Sequence, residues 1–322
     1  MKQYKSQQKP PGSQAIERAY CSMDDLMRLR FDARALQMPS AKRGIRQQTG
    51  QHRSRFRGRG MEFAEVRVYQ PGDDVRSIDW RVTARRKTPH TKLFHEERER
   101  PVFIVCDQSI SQFFGSQKAF KSVIAAEVTA LLSWAALFYG DRVGGIVFSD
   151  SRHYEIKPTR NRNSVMGLIK ALEQYNQVLS ADLDTAFPEM DLNKALQEAR
   201  RISKPGALIF IISDFQDSNE NTRRTLHQLA QHSELVAIQV YDPIELELPP
   251  PGIYPISNGQ DIAMIRTDDK AFRREYESAA QEQQQLIKDI CDSATTPLIS
   301  LSTRDDPVRI LKHGFFLRQD RC

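Results

Sequence analysis

Asp107, Ser109 and Ser111 stand in the pattern D-x-S-x-S directly after the apolar run PVFIVC, and Asp214 follows a second apolar run, ALIFIIS. Two carboxylates and two hydroxyls are hard oxygen donors, the kind that suits Mg²⁺ or Mn²⁺ with retained waters. Because Mg²⁺ seldom takes a complete protein cage, such a site leaves a position for an outside ligand such as a partner's carboxylate. The competing reading is strand-end capping, since Ser and Asp are common turn formers. The repeated placement after two apolar strands favours the metal. Nucleophilic chemistry has less support, for there is no G-x-S-x-G elbow. No Walker A or dinucleotide glycine pattern is present either. His90, His95 and Glu96 lack the spacing of a zinc signature.

A second group of charged residues surrounds one of the two tryptophans, in YQPGDDVRSIDWRVTARR. Asp73, Asp74, Arg76, Asp79, Trp80 and Arg85 read first as a folding element and second as a docking surface for a partner. Pro71-Gly72 signals a type II turn, and a helix is expected from Asp73 with Val75, Ile78 and Val82 on one face. Upstream, Arg53, Arg55, Arg57 and Arg59 alternate in a polar arm. Clustered positive charge is enough for phosphate contacts. With Phe56 as the sole interleaved aromatic and no nucleic-acid motif, a solvated or partner-facing arm is preferred.

Apolar strands separated by helices position these residues. PVFIVCD, RVGGIVFS, HYEIK, ALIFIISDF, LVAIQVYDP and PLISLST read as strands, and the 119–139 run, NSVMGLIKALEQY, DLNKALQEARRI, TRRTLHQLAQH and a long charged segment from Lys270 as helices. This alternation predicts an α/β fold with a doubly wound, mainly parallel, Rossmann-like sheet, whose ligands gather at the carboxyl ends of the strands. A flexible tail is expected over 1–21, a basic N-terminal segment over 22–97 and the α/β domain over 98–322, with an excursion at about 243–270 containing a hairpin. A helix opens the basic segment, capped by Ser22 and closed by Pro39.

Charge is unevenly distributed. Residues 1–100 hold 23 Lys/Arg against 12 Asp/Glu, and 101–322 hold 24 against 29. The polarity suits an acidic partner for the front segment or an internal match between the two parts. Four scattered cysteines without a C-x-x-C pair favour a reducing compartment. The polar start lacks a signal-peptide core, and Lys121 and Glu127 interrupt the longest apolar run, so a cytoplasmic protein without a membrane span is expected.

The D-x-S-x-S strand, the long helix after it, GDRVGGIVFSD and IISDF resemble a von Willebrand factor A-like domain with a metal-ion-dependent adhesion site. The flanking GRGMEF, YQPGDDVRSIDW and TAR resemble a narrower group, bacterial proteins of the domain-of-unknown-function family 58. The resemblance implies a metal held by Asp107, Ser109, Ser111 and Asp214. It also implies a threonine just before a helix of the form x-L-x-x-A-L, where this chain has Met190 in MDLNKAL. Thr185 could replace it only if its loop folds back; otherwise Mg²⁺ or Mn²⁺ would meet an incomplete ligand set. The function implied is non-enzymatic: a protein-binding adaptor acting with a MoxR-type AAA+ ATPase in maturation or assembly of an unidentified client. A nucleic-acid-binding protein using the basic arm and a metal-dependent hydrolase are the alternatives.

Overall fold

The computed structural model describes residues 18–39, 61–70, 75–96, 100–179, 189–257 and 262–319. The chain divides into two compact units, 42–99 and the remainder.

In the larger unit, two short helices, α1 (Met23–Arg28) and α2 (Arg30–Ala33), precede the sheet. The smaller unit supplies β1 (Met61–Val68), α3 (Trp80–Arg86) and β2 (His90–Glu96). Next in the larger unit come β3 (Pro101–Asp107), α4 (Lys121–Phe138), β4 (Arg142–Phe148), β5 (His153–Thr159), α5 (Arg162–Val178), α6 (Leu192–Ile202) and β6 (Leu208–Ser213). After these follow α7 (Glu220–Ala230), β7 (Glu234–Tyr241), α8 (Pro243–Leu246), β8 (Ile253–Ser257), β9 (Ile262–Arg266), α9 (Lys270–Ser293), β10 (Leu298–Ser302) and α10 (Pro307–Gln319).

The six-stranded sheet runs in the order β10-β7-β6-β3-β4-β5. Every neighbouring pair is parallel except β4 and the edge strand β5. This is the doubly wound, mainly parallel α/β fold that the strand–helix alternation predicts. Alternate residues of one strand feed opposite cores. Val102, Ile104 and Cys106 of β3 pack with α1, α2, α4, α5 and α10. Phe103 and Val105 pack with α6, α7 and α9 on the other face. The side-chain period of two in a strand makes this division obligatory. Helix α4 is apolar nearly all round because its turns are enclosed by neighbours. Among the described helices it alone is long and apolar enough to cross a membrane, yet 89% of it is buried in the protein. The glycine pair of β4 permits close strand approach: a Cβ on Gly145 would lie 2.3 Å from the carbonyl oxygen of Ile104.

The N-terminal elements depart from the expected division. Met23–Ala33, read from sequence as part of the basic segment, packs on the α/β core through Leu26 and Ala33, as does Leu36. Trp134 Nε1 of α4 donates to the carbonyl of Leu26 at 3.2 Å. Before it, Cys21 is buried, with its backbone N–H on Asn176 Oδ1 at 2.7 Å, so 18–21 are ordered rather than part of a flexible tail. The apolar positions of α1 and α2 are the reason, since they complete a core whose next member in the chain is Val102.

In the smaller unit β1 and β2 pair antiparallel, from Met61↔Glu96 to Val68↔His90. Helix α3 begins at Trp80, not near Asp73 as the sequence pattern predicts. Asp79 is its cap, accepting from the N–H groups of Arg81 and Val82 at 3.0 and 3.1 Å. A 3₁₀ turn at Val75–Ser77 takes the place of the expected first helical turn. Lys87, left-handed at φ 59°, ends α3. The β8–β9 hairpin is antiparallel and belongs to the larger unit.

Candidate functional site

The chain passes from β3 to β4 and β5 on one side of the sheet and returns through β6 on the other side of β3. The carboxyl ends of β3 and β6 therefore flank the topological switch point, the place where doubly wound sheets bind ligands. Asp107 ends β3 and Asp214 follows β6, so the two loops singled out from sequence meet. Ser213 Oγ donates to Asp107 Oδ2 at 2.7 Å. The N–H of Ser109 donates to Asp107 Oδ1 at 2.9 Å, and the Ser109 and Ser111 hydroxyls lie 3.1 Å apart.

The D-x-S-x-S loop is fixed from several directions. Gln108, buried behind it, donates through Nε2 to the carbonyl of Ser122 at 2.9 Å and accepts from Asn176 Nδ2 at 3.2 Å. The N–H of Ile110 donates to Asp150 Oδ2 at 2.7 Å, from the β4–β5 turn. Gln112 is also buried, and neither of its amide atoms has a partner among the described residues.

Negative charge accumulates here. Burial, then the nearby charge of Asp214, pushes the Asp107 carboxyl up to about 7. Asp217 is raised by burial and then by Asp214, Asp150 and Asp191. The counter-charge is Lys121, the first residue of α4, whose Nζ lies 2.9 Å from Asp214 Oδ2 and 2.5 Å from Glu245 Oε1. Burial works against the ammonium, but Asp214 and Glu245 outweigh it and hold Lys121 above its ordinary range. Burial also raises Glu245 despite Lys121. At 2.5 Å from an ammonium that is held charged, the ionised pair is the state the geometry favours.

Lys121, Glu245 and Asp242 are the site residues that sequence reasoning missed. Lys121 reads as a mere interruption of an apolar run. Asp242 follows the apolar strand LVAIQVY just as Asp214 follows ALIFIIS, and that repetition was the available signal. Its carboxylate accepts from the N–H and hydroxyl of Ser116 at 2.8 and 2.6 Å and from Thr303 Oγ1 at 2.7 Å.

Met190 is no oxygen donor and points into the core beside α6, with 7% of its surface exposed. Its backbone N–H donates to the carbonyl of Asp150 at 3.0 Å. Thr185 lies outside the described residues, as do Asp73, Asp74, Arg53, Arg55, Arg57 and Arg59. The described partner candidates belong to the smaller unit: Asp79 is spent on capping, Arg76 and Arg85 are exposed, and Trp80 is 70% exposed. Among the described residues no three His, Cys, Asp or Glu side chains converge as a metal cluster. A cation at the switch point would therefore rest on two carboxylates and two hydroxyls, a donor set that fits a hard divalent ion retaining waters.

The model of one family, described as "Protein of unknown function DUF58", matches residues 65–286. The chain belongs to this family. Relatives of this DUF58 protein include the uncharacterized protein Rv1480 of Mycobacterium tuberculosis, 29% identical over 258 residues, covering 80% of this chain and 79% of that one. The uncharacterized protein YeaD of Bacillus subtilis is 36% identical over 70 residues, 22% of this chain and 16% of that one. Among solved structures, the conserved hypothetical protein BatB of Bacteroides thetaiotaomicron is 12% identical with a TM-score of 0.42, covering 69% of this chain and 100% of that one. A von Willebrand factor type A structure from Catenulispora acidiphila is 12% identical with a TM-score of 0.37, covering 71% of this chain and 43% of that one. The family is the one the sequence resemblance implies, and the mainly parallel α/β sheet is the one the strand–helix alternation predicts.

Proposed function

We propose that this DUF58 protein is a non-enzymatic, metal-assisted protein-binding adaptor. Asp107 and Asp214 contribute charge and Ser109 and Ser111 their hydroxyls, toward Mg²⁺ or Mn²⁺. The bound cation would supply an electrophilic position for a carboxylate of the partner. The observation that carries the reading is the meeting of the β3 and β6 loops at the switch point, with the two serine hydroxyls 3.1 Å apart beside a buried pair of aspartates. Asp107 already accepts one hydrogen bond at each oxygen, which orients the carboxylate and leaves further lone pairs for a ligand. Met190 adds no donor, so unless Thr185 supplies one the partner's contribution matters more.

The partner side of the proposal, a MoxR-type AAA+ ATPase and a client complex under maturation or assembly, rests on the family resemblance. Calorimetric titration of Mg²⁺ and Mn²⁺ into the chelator-treated protein tests the site. Binding that vanishes in Asp107→Ala and in Ser109→Ala/Ser111→Ala is the expected result; variants that bind as tightly as the wild type would overturn it. The partner is tested by size-exclusion chromatography with a purified MoxR-type ATPase. A complex that forms with Mg²⁺ and dissociates in chelator is expected, and separate elution in both conditions would remove the ATPase from the proposal.

A further inference from the structure

Lys121 is fully buried at the first position of an 18-residue apolar helix. A cation there opposes the helix dipole, whose N-terminus is already positive, and burial adds a desolvation cost. Both costs are offset by Asp214 and Glu245, at 2.9 and 2.5 Å. Glu245 is anchored independently of the lysine. Its Oε1 also accepts from Gln216 Nε2 at 3.0 Å, and its Oε2 accepts from the N–H of Asp242 at 2.9 Å, within the cap of α8. One carboxylate that a divalent cation would use is thus already engaged by an ammonium, and a second carboxylate is in place to retain that ammonium.

We propose that Lys121 is the resident cation of the Asp107–Asp214 site and competes with a divalent ion for Asp214. Loading the site leaves Lys121 with Glu245 as its sole carboxylate of the two, so that occupancy is communicated to α8 and the β7–α8 turn. This rests on the metal reading of the same residues and adds a regulator to it. Electrostatics sets the direction: an ammonium beside a divalent cation repels it, and at low effective dielectric the repulsion is large.

The test is calorimetric titration of Mg²⁺ into the chelator-treated full chain as wild type, Lys121→Met and Glu245→Gln. Lys121→Met is expected to bind Mg²⁺ about tenfold more tightly or better. Glu245→Gln, which leaves the ammonium with Asp214 alone, is expected to bind it more weakly than wild type. A purely structural role for Lys121 would weaken binding in both variants, and that result overturns the proposal. Equal affinity in wild type and Lys121→Met overturns it while leaving the metal site standing. Binding in Lys121→Met but not in wild type supports the competition and removes the metal from the native chain. No binding in either removes both. Should Lys121→Met fail to fold, Lys121→Gln takes its place with the same expected gain in affinity, and weaker or equal binding there, or unchanged or tighter binding in Glu245→Gln, overturns the competition. Thermal melts give a second readout, with Mg²⁺ raising Tm more in Lys121→Met than in wild type.

Discussion

The six-stranded unit and the β1–β2 unit hold themselves together in different ways. Every residue of β6 is buried, and β3 is buried from Val102 onward, because helices cover both faces. In the smaller unit Val68, Val75 and Trp80 are 57%, 61% and 70% exposed. Its order comes from local hydrogen bonds: the Asp79 cap, the Ser77 and Thr91 hydroxyls 2.6 Å apart, and the N–H of His90 on Thr83 Oγ1 at 3.0 Å. A two-stranded ribbon is marginal alone, whereas a parallel sheet exists only where its faces are covered. Tertiary burial therefore carries the first unit, and turn and cap chemistry the second.

Four substitutions would break or sharpen that contrast. The largest effect is expected for Phe210→Ala, which empties a fully buried position against Phe315 and should cost about 3–5 kcal/mol in denaturant unfolding. Arg18→Ala comes second. It leaves Glu127 of α4 without its ion pair, at a cost of about 1 kcal/mol because Arg18 is 42% exposed and partly screened. Burial raises the Glu127 carboxyl above its ordinary 4.5 even with Arg18 beside it. The folded state thus holds that proton more tightly than the unfolded chain, so this group's contribution is full below pH 4.5 and is lost as pH rises through the folded value. The cost of Arg18→Ala should accordingly be greatest near neutrality and shrink toward pH 4; a cost independent of pH would remove the ion pair from the account.

Asp79→Ala should lower hydrogen-exchange protection across α3 by about 1 kcal/mol while leaving β3 and β6 unchanged, as expected of a lost cap in a locally stabilised unit. The smallest effect is expected for Trp80→Ala, within about 0.5 kcal/mol in the same unfolding experiment. If Trp80→Ala cost as much as Phe210→Ala, the smaller unit would have a tertiary core and the contrast would fail.

The residues of the candidate site were unequally legible. Asp107, Ser109, Ser111 and Asp214 stand out because an acid directly after an unbroken apolar strand marks a strand's carboxyl end. Lys121 does not, because a lysine within an apolar run reads only as an interruption of it until its partners are known. Glu245 lies 124 positions away, and no local pattern joins the two. The start of α3 is ambiguous in sequence for a related reason: Asp73, Asp74 and Asp79 are all competent caps by residue type, and the structure uses Asp79, next to the residue that bridges to Thr91. Residues 23–36 read as part of a basic segment by charge, whereas their few apolar side chains assign them to the α/β core.

The amino-acid sequence alone determined the class of the fold, the order of its strands along the chain and the donors at two strand ends, since these follow from local hydrophobic period and turn chemistry. Tertiary structure decided that β6 lies beside β3, and so which acid faces which. It also decided that the charge opposite Asp214 is an ammonium from α4, shared with the β7–α8 turn. Sheet order and long-range ion pairs depend on three-dimensional neighbours far apart in sequence, and a run of residues encodes its own periodicity but not its neighbours.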